Sequence, residues 1–89
     1  MRAIITVVGK DKVGILAAVS EFCAKYNTNV IEVTQSILQD MFCMIMLVDV
    51  KACSIPFTEF AVKAKALGEE KNLSIQAMHE DIFNSMHRI

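Results

Sequence analysis

The sequence predicts an α+β fold, in which a four-stranded antiparallel sheet carries two helices on one face and is followed by a short C-terminal helix. Three observations predict it: four apolar segments of strand length, two helical stripes between them, and a two-residue polar turn near the middle of the chain. With 89 residues, 54% hydrophobic and 21% charged, the chain has the size of one domain and too many apolar residues for a disordered segment.

The first half of the chain predicts a strand, a helix and a second strand. Residues Arg2–Val8 are rich in β-branched side chains and end at Gly9. After a polar loop, apolar residues recur at the i, i+4, i+7 and i+11 spacing of a helix packed on one face. That stripe consists of Ile15, Val19, Phe22 and Tyr26. Asn27 favours the end of the helix, and the alternation over Thr28–Leu38 predicts a half-exposed strand.

In that second strand, one face is expected to carry apolar residues and the other polar ones. Ile31, Val33 and Ile37 make up the apolar set. Glu32, Thr34 and Ser36 make up the polar set. Gln39-Asp40 then predicts a hairpin turn into a third strand, Met41–Val50.

The second half repeats the order of elements. Pro56 suits the first turn of a helix, where its missing N–H costs nothing, and an apolar stripe runs from Phe57 to Leu67. Gly68 is expected to weaken the last turns of this helix, which Asn72 ends.

The end of the chain predicts a fourth strand and a short helix. Leu73–Met78 alternates between apolar and polar side chains. Asp81 is expected to cap a terminal helix that carries Ile82, Phe83 and Met86.

The order of strands in the sheet follows from how continuously apolar each strand is. Ala3–Val8 and Met41–Val48 are apolar on both faces, as central strands are, whereas the other two strands alternate as edge strands do. Right-handed crossovers then give the ferredoxin-like order 4-1-3-2. The face without helices carries about half of the apolar side chains of the central strands. We therefore expect a homodimer, the terminal helix or both to cover it. A face-to-face dimer would bury this face, whereas a side-by-side dimer would extend the sheet, and the sequence leaves both geometries open.

Composition and charge exclude several classes of function. Nine Lys and Arg against ten Asp and Glu provide no positive field for nucleic acid or an anionic membrane. The longest uncharged apolar run, Met41–Val48, is far shorter than the ~20 residues of a membrane-spanning helix. Cys23, Cys43 and Cys53 are odd in number and lack a C-x-x-C pair, which predicts reduced thiols and a cytoplasmic protein. Neither nucleic acid nor a membrane is expected as a partner.

The loop between the first strand and the first helix is the most distinctive local feature. Gly9 and Gly14 have the G-x-x-x-x-G spacing of a phosphate-binding loop, but Ile15 and Leu16 stand where that motif needs Lys and then Ser or Thr. A nucleotide phosphate site is therefore not expected. The loop does lead into a helix N-terminus, whose free N–H groups and dipole favour a carboxylate.

Three residues around this loop suit an amino-acid ligand. Gly14 allows close approach to the backbone, Asp11 can accept a hydrogen bond from an α-ammonium group, and Asn29 offers a donor and an acceptor. Asn29 is expected to enter the second strand close to the loop. Each residue also has a purely structural interpretation: Asp11 as a helix cap, Gly14 as a backbone requirement and Asn29 as a turn residue.

Other candidate sites are weaker. His79 and His87 lack a third nearby ligand, and the methionines around Cys43 suit packing in a central strand better than soft-metal binding. The order of elements suggests no Ser-His-Asp or Cys-His-Asn constellation. We expect no catalytic residues, no metal and no cofactor.

Two segments resemble a known family. Asp11–Leu16 (DKVGIL) at a helix start, followed by Asn27–Gln35 (NTNVIEVTQ) into a strand, resembles the ACT domain, an amino-acid-sensing regulatory module. The terminal segment Gln76–Ile89 resembles the stand-alone ACT proteins of the UPF0237 family. The resemblance implies a single ACT-like domain over residues 1–89 and a dimer that binds an amino acid or similar small ligand near the first loop.

The resemblance also carries ligand-binding positions over to this chain. Asp11, Gly14 and Asn29 match the family pattern, and we add their neighbours to the candidate site. Those neighbours are Lys12, Ile15 and Val30. The alternative function is a ligand-free dimeric scaffold, or an interaction module for a partner enzyme or regulator.

Overall fold

The computed structural model of the chain describes residues 1–10 and 13–86, so that Asp11 and Lys12 lie outside the described part. Seven elements occur among the described residues. They are β1 (Arg2–Lys10), α1 (Ile15–Lys25), β2 (Asn29–Leu38), β3 (Met41–Asp49), α2 (Phe57–Glu70), β4 (Ser74–His79) and α3 (Glu80–Met86). The predicted α+β class and order of elements are confirmed.

The four strands form one antiparallel sheet in the order β2-β3-β1-β4. This is the predicted order 4-1-3-2, and the two continuously apolar strands are the central ones. The register of β1 on β3 runs from Arg2 opposite Asp49 to Lys10 opposite Met41. Continuity of apolar residues therefore identified the central strands because both of their faces are lined by apolar groups.

The core lies between the sheet and the helices α1 and α2. Alternate residues of the central strands face the helices and are buried. These residues are Ala3, Ile5 and Val7 of β1 and Phe42, Met44, Met46 and Val48 of β3. An aromatic cluster joins the two helices, with the ring of Phe22 centred 5.1 Å from both Tyr26 and Phe60. Packing of this kind fixes how α1 and α2 sit on the sheet.

The helix α2 ends just before Asn72, as expected, but Gly68 has a packing role that the sequence did not predict. The helix continues through Gly68 to Glu70. A Cβ atom at Gly68 would lie 2.7 Å from the carbonyl oxygen of Leu73 and 2.9 Å from the amide nitrogen of Ile75. Gly68 therefore allows α2 to pack directly on the backbone of β4, and this close approach explains a glycine inside a helix. Asn72, in the left-handed region at φ 59°, makes the turn into β4.

Two helix starts are also shifted. Pro56 is the N-cap residue of α2, one position before the first helical turn where it was expected. The helix α3 begins at Glu80, directly after β4, so the prediction of Asp81 as its cap is wrong.

The strand β2 contains a β-bulge between Val30 and Glu32. Ile31 is 46% exposed, whereas Val30 and Val33 pack against the core. The strict alternation predicted for this strand is wrong at Ile31, because the extra residue shifts the pattern by one position and brings Val30 onto the helix face.

The sheet face away from α1 and α2 is called here the open face. At one end α3 contacts β1 and β4, and Arg2 of β1 makes an ion pair with Glu80 of α3. At that end Ile4 is only 7% exposed, while Val8 and Ile45 further along are 40% and 42% exposed. The terminal helix thus covers part of the open face, and an apolar area remains uncovered in the single chain.

Candidate functional site

The helix α1 starts at a glycine in an unusual backbone conformation. Gly14 has φ 86° and ψ 8°, in the left-handed region, and its carbonyl accepts the first helical hydrogen bond from Ala18 N–H at 2.9 Å. A Cβ atom at Gly14 would meet nothing within 4 Å. Gly14 is thus required by its backbone angle and leaves open space beside the helix start.

This helix start is electrically suited to a negative group. Gly14 has no side chain with which to cap the first N–H groups, and the first turn of α1 contains no acidic residue. Backbone donors at a helix N-terminus, together with the positive end of the helix dipole, favour a carboxylate.

A shallow cavity of about 210 Å³ adjoins the helix start. Its lining comes from two parts of the chain that are distant in sequence. The lining residues are Val13, Gly14, Ile15, Ala18, Lys71 and Leu73. Lys71 brings a basic side chain to this wall. The sequence offered no sign of Lys71, because only the packing of α2 and β4 against α1 brings it here.

Two of the predicted ligand-binding residues turn their side chains away from solvent. Ile15 is 5% exposed and belongs to the core, although it also forms part of the cavity wall. Val30 is half-buried and packs against the same core. Ile15 therefore contributes an apolar wall to the cavity, whereas Val30 does not line it. Asp11 and Lys12 lie outside the described residues.

Asn29 and Gly14 lie at opposite ends of the sheet. Asn29 of β2 is paired with Asp49 of β3, and Asp49 is paired on its other side with Arg2 of β1. Gly14 follows the other end of β1, where Lys10 is opposite Met41. Eight residue steps of β1 separate these two ends, or roughly 26 Å at about 3.3 Å per residue. The expectation that Asn29 enters β2 close to the loop is therefore wrong within one chain.

No group of three His, Cys, Asp or Glu side chains within residues 1–10 and 13–86 is arranged to hold a metal ion. His79 stacks on the ring of Phe57 at 4.3 Å between centroids, and His87 lies outside the described part. Within the same described ranges, no helix is both long enough and apolar enough to span a membrane.

The family of the chain follows from comparison with known proteins. The family model of the ACT domain matches residues 2–79. A UPF0237 protein of Methanococcus maripaludis is 45% identical over 88 residues, which cover 99% of this chain and 98% of that protein. The chain is an ACT domain protein of the UPF0237 family. Domains of this family are typically regulatory modules that bind small molecules, rather than catalytic units.

Solved structures show the same ACT fold. An ACT domain protein from Streptococcus pneumoniae matches with a TM-score of 0.82 and 37% identity, over 93% of each chain. A formyltetrahydrofolate deformylase from Pseudomonas syringae pv. tomato matches with a TM-score of 0.78 and 22% identity, over 88% of this chain and 27% of the deformylase. The second match shows the fold alone, as one part of a longer protein.

Proposed function

We propose that this ACT domain is a regulatory ligand sensor that binds an amino acid or a related small metabolite between two subunits. The helix start at Gly14, with Asp11 and Lys12 before it, belongs to one subunit, and Asn29 belongs to the other. The separation of Gly14 and Asn29 by the length of the sheet is the observation that carries this proposal. One chain cannot bring both to one small ligand, whereas a symmetric pair of chains can.

The free edge of β2 supports such a pair. The strand has ten residues, of which only Glu32 is charged, and it contains no proline. Ile37 and Leu38 are exposed on it. A long edge with a single charged residue is a template for pairing with another strand. When two copies of β2 pair in antiparallel fashion, Asn29 of one copy approaches the far end of the other β2, the end where the β1–α1 loop begins.

The ligand class follows from the chemistry of the candidate residues. The N-terminus of α1 suits a carboxylate, the Asp11 side chain suits an ammonium group, and the Asn29 amide can bind either. The cavity of about 210 Å³ is smaller than the ~300–1,000 Å³ typical of pockets for drug-sized ligands. An amino acid or a similar small metabolite fits both observations.

A thermal-shift panel of L-amino acids tests the proposal. A ligand at 100-fold over its Kd stabilises the protein by about 2.7 kcal/mol, which raises the Tm by roughly 10 °C or more for a domain of this size. Asn29→Ala is expected to abolish the shift. The matched control is Gln76→Ala, an exposed change on the opposite edge strand, which is expected to leave the shift intact. A panel without any shift contradicts ligand sensing.

Mixed dimers test whether the two subunits share one site. Asp11→Ala and Asn29→Ala are each expected to abolish binding in homodimers. When the two variants are mixed and exchange subunits, each mixed dimer holds one doubly altered site and one intact site. Isothermal titration is then expected to recover binding at half of the sites in the mixed dimers. Absence of recovery, with subunit exchange verified, contradicts a shared site.

The second candidate function is a ligand-free dimeric scaffold that docks a partner enzyme or regulator. The uncovered part of the open face favours it, because Val8, Met41 and Ile45 are exposed there. Light scattering separates the two candidates when combined with the ligand panel: a stable dimer without a ligand response supports the scaffold. For either function we propose one domain over the whole chain, and a cytoplasmic location that suits the three free thiols.

A further inference from the structure

The linker between β3 and α2 is tied to the end of α1 on both sides of Cys53. The side-chain amide of Asn27 donates to the carbonyl of Ala52 at 3.0 Å. The backbone N–H of Ser54 donates to the carbonyl of Tyr26 at 2.9 Å. The residue between these two anchor points, Cys53, is half-buried and packs against the core. Its position relative to α1 is therefore fixed by the backbone.

Cys23 lies on the last turn of α1, in the core against which Cys53 packs. It is 1% exposed. Burial raises the pKa of the Cys23 thiol, Thr28 offsets part of the rise, and negative charge on Cys53 adds to it. The anchor point Tyr26 follows Cys23 by about one helical turn, so the linker holds Cys53 beside the turn of α1 that carries Cys23. The third thiol, Cys43, is placed apart from them, on the open face of β3.

We propose that Cys23 and Cys53 are a redox modification site, at which a hydroperoxide converts the two thiols into a reversible intramolecular disulfide. The inference is independent of the proposed ligand function. It uses only the anchoring of the linker on α1 and the shared position of the two cysteines. Disulfides of cytosolic proteins are typically transient and redox-sensing, which suits a half-buried thiol beside a buried one.

The chemistry balances with a hydroperoxide as the oxidant. The more accessible Cys53 thiolate attacks the peroxide, the O–O bond breaks, and Cys53 becomes a sulfenic acid while water or an alcohol leaves. The Cys23 sulfur then attacks the Cys53 sulfur, the S–O bond breaks, and a second water leaves with the proton of Cys23. Two thiols are oxidised by two electrons, and the peroxide is reduced by the same two electrons. A thiol reductant then reduces the disulfide to the two original thiols and is itself oxidised to a disulfide.

The bond would restrain the junction that leads into β2. The carbonyl of Cys23 accepts hydrogen bonds from the backbone N–H and from the hydroxyl of Thr28, both at 2.9 Å. Thr28 directly precedes β2, which begins at Asn29. A disulfide at Cys23 therefore fixes the linker, the end of α1 and the start of β2 relative to one another.

Peptide mapping tests the proposal directly, because trypsin places each cysteine on a separate peptide. Cleavage after lysine gives residues 13–25 with Cys23, 26–51 with Cys43 and 52–63 with Cys53. After treatment of the full chain with hydrogen peroxide, we expect a peptide pair 13–25/52–63 that has lost two hydrogen atoms and separates with dithiothreitol. A pair that involves only 26–51, a crosslink only between two chains, or a sulfinic acid on Cys53 without crosslink overturns the proposal.

A variant series excludes a merely incidental crosslink. Cys43→Ser retains the proposed pair and is expected to form the same crosslink. In that background, oxidation is expected to raise the Tm by roughly 10 °C, reversibly with dithiothreitol, because the bond closes a loop of about 30 residues. Adding Cys53→Ser abolishes both effects and controls for methionine oxidation, which dithiothreitol does not reverse. If the crosslink forms but leaves the Tm unchanged or lowers it, the native fold does not hold the two cysteines in a geometry that suits a disulfide. That result contradicts the proposal.

The rate of closure gives an independent measurement that does not depend on stability. The attacking species is the Cys23 thiolate, and burial holds the pKa of that thiol above its ordinary value. Closure of the sulfenic acid form is therefore expected to accelerate as pH rises from 7 to 9. A closure rate that does not change over this range contradicts Cys23 as the resolving thiol.

Discussion

Arg2 and Glu80 join the first strand to the last helix through two parallel contacts. The Arg2 Nε and Nη2 atoms donate to the two carboxylate oxygens of Glu80 at 3.1 and 2.5 Å. Both side chains are partly exposed, so solvent screens the pair. Its structural effect is to hold α3 against the end of the open face, over the buried side chain of Ile4.

Arg2→Ala is expected to loosen α3 and to lower the free energy of unfolding by about 0.5–1 kcal/mol, the upper range for an exposed pair. Hydrogen exchange should show the effect more clearly than global stability, as faster exchange confined to α3. Lys63→Ala, an exposed change on α2, is the matched control for loss of a positive charge. Equal exchange of α3 in both variants would show that the ion pair does not hold the helix.

Gly68→Ala is expected to destabilise the protein although it improves helix propensity. The added methyl group would lie too close to the backbone of Leu73 and Ile75, and overpacking of this kind costs about 1–3 kcal/mol. After the gain of about 1 kcal/mol in helix propensity, a net loss of up to about 2 kcal/mol remains in urea unfolding. Ala66→Gly is the control, because this exposed position reports propensity alone. Stabilisation by Gly68→Ala would contradict the close approach of α2 to β4.

Gly14→Ala tests a different property, the left-handed backbone. No neighbour lies within 4 Å of the added carbon, so the expected loss of about 1–2 kcal/mol comes from backbone strain alone. Gly14→Asn is expected to lose less, because asparagine tolerates this conformation. Urea unfolding of the two variants gives the comparison. Equal losses would indicate a steric cause in place of the backbone angle.

Stability is expected to fall at alkaline pH in a way that depends on Cys23. Burial raises the pKa of the Cys23 thiol in the folded protein above its unfolded value. The contribution of this thiol to the free energy of unfolding is therefore fully present below the ordinary thiol pKa of about 8.5. It is lost as pH rises through the folded pKa, since the unfolded chain releases the proton more readily. Urea unfolding under reducing conditions at pH 7 and 10 measures the loss. Cys23→Ala also removes a packing contribution to the free energy of unfolding, but that contribution does not depend on pH. The variant is therefore expected to lose less stability between pH 7 and pH 10 than the wild type loses.

A positive charge in the middle of β2 is expected to weaken the proposed dimer. Thr34 is exposed near the centre of the free edge, so Thr34→Lys places two like charges close together across the two-fold axis. We expect at least a tenfold increase in the dimer Kd, measured by sedimentation velocity. Gln76→Lys adds the same charge on β4, at the opposite edge, and is expected to leave the Kd unchanged. The reverse pattern would place the interface on β4.

The sequence predicts the sheet better than it predicts the site. The continuous apolar runs of β1 and β3 identify the central strands, because burial on both faces leaves a direct compositional signal. The bulge at Ile31 and the close packing of Gly68 depend on tertiary contacts that no local pattern reports. Lys71 reaches the candidate cavity only through the folded arrangement of α2 and β4.

The main wrong prediction is that Asn29 lies close to the β1–α1 loop. The predicted order of elements already implies the opposite. A helix that returns antiparallel to β1 delivers the chain to the opposite end of the sheet. Residues on either side of α1 are therefore far apart in one subunit. Family resemblance pointed to Asp11, Gly14 and Asn29 but carried no information on how far apart these residues lie in one chain.

The bulge at Ile31 has a consequence for the proposed dimer. It interrupts the free edge of β2 and leaves Glu32–Leu38 as its regular part. An incoming strand that keeps regular hydrogen bonding is confined to these seven residues, and a slip by one residue would reverse the faces of its side chains. A second copy of this chain carries the same irregularity at the symmetric position. In the proposed dimer, the bulge therefore limits regular pairing to these seven residues of each β2 strand.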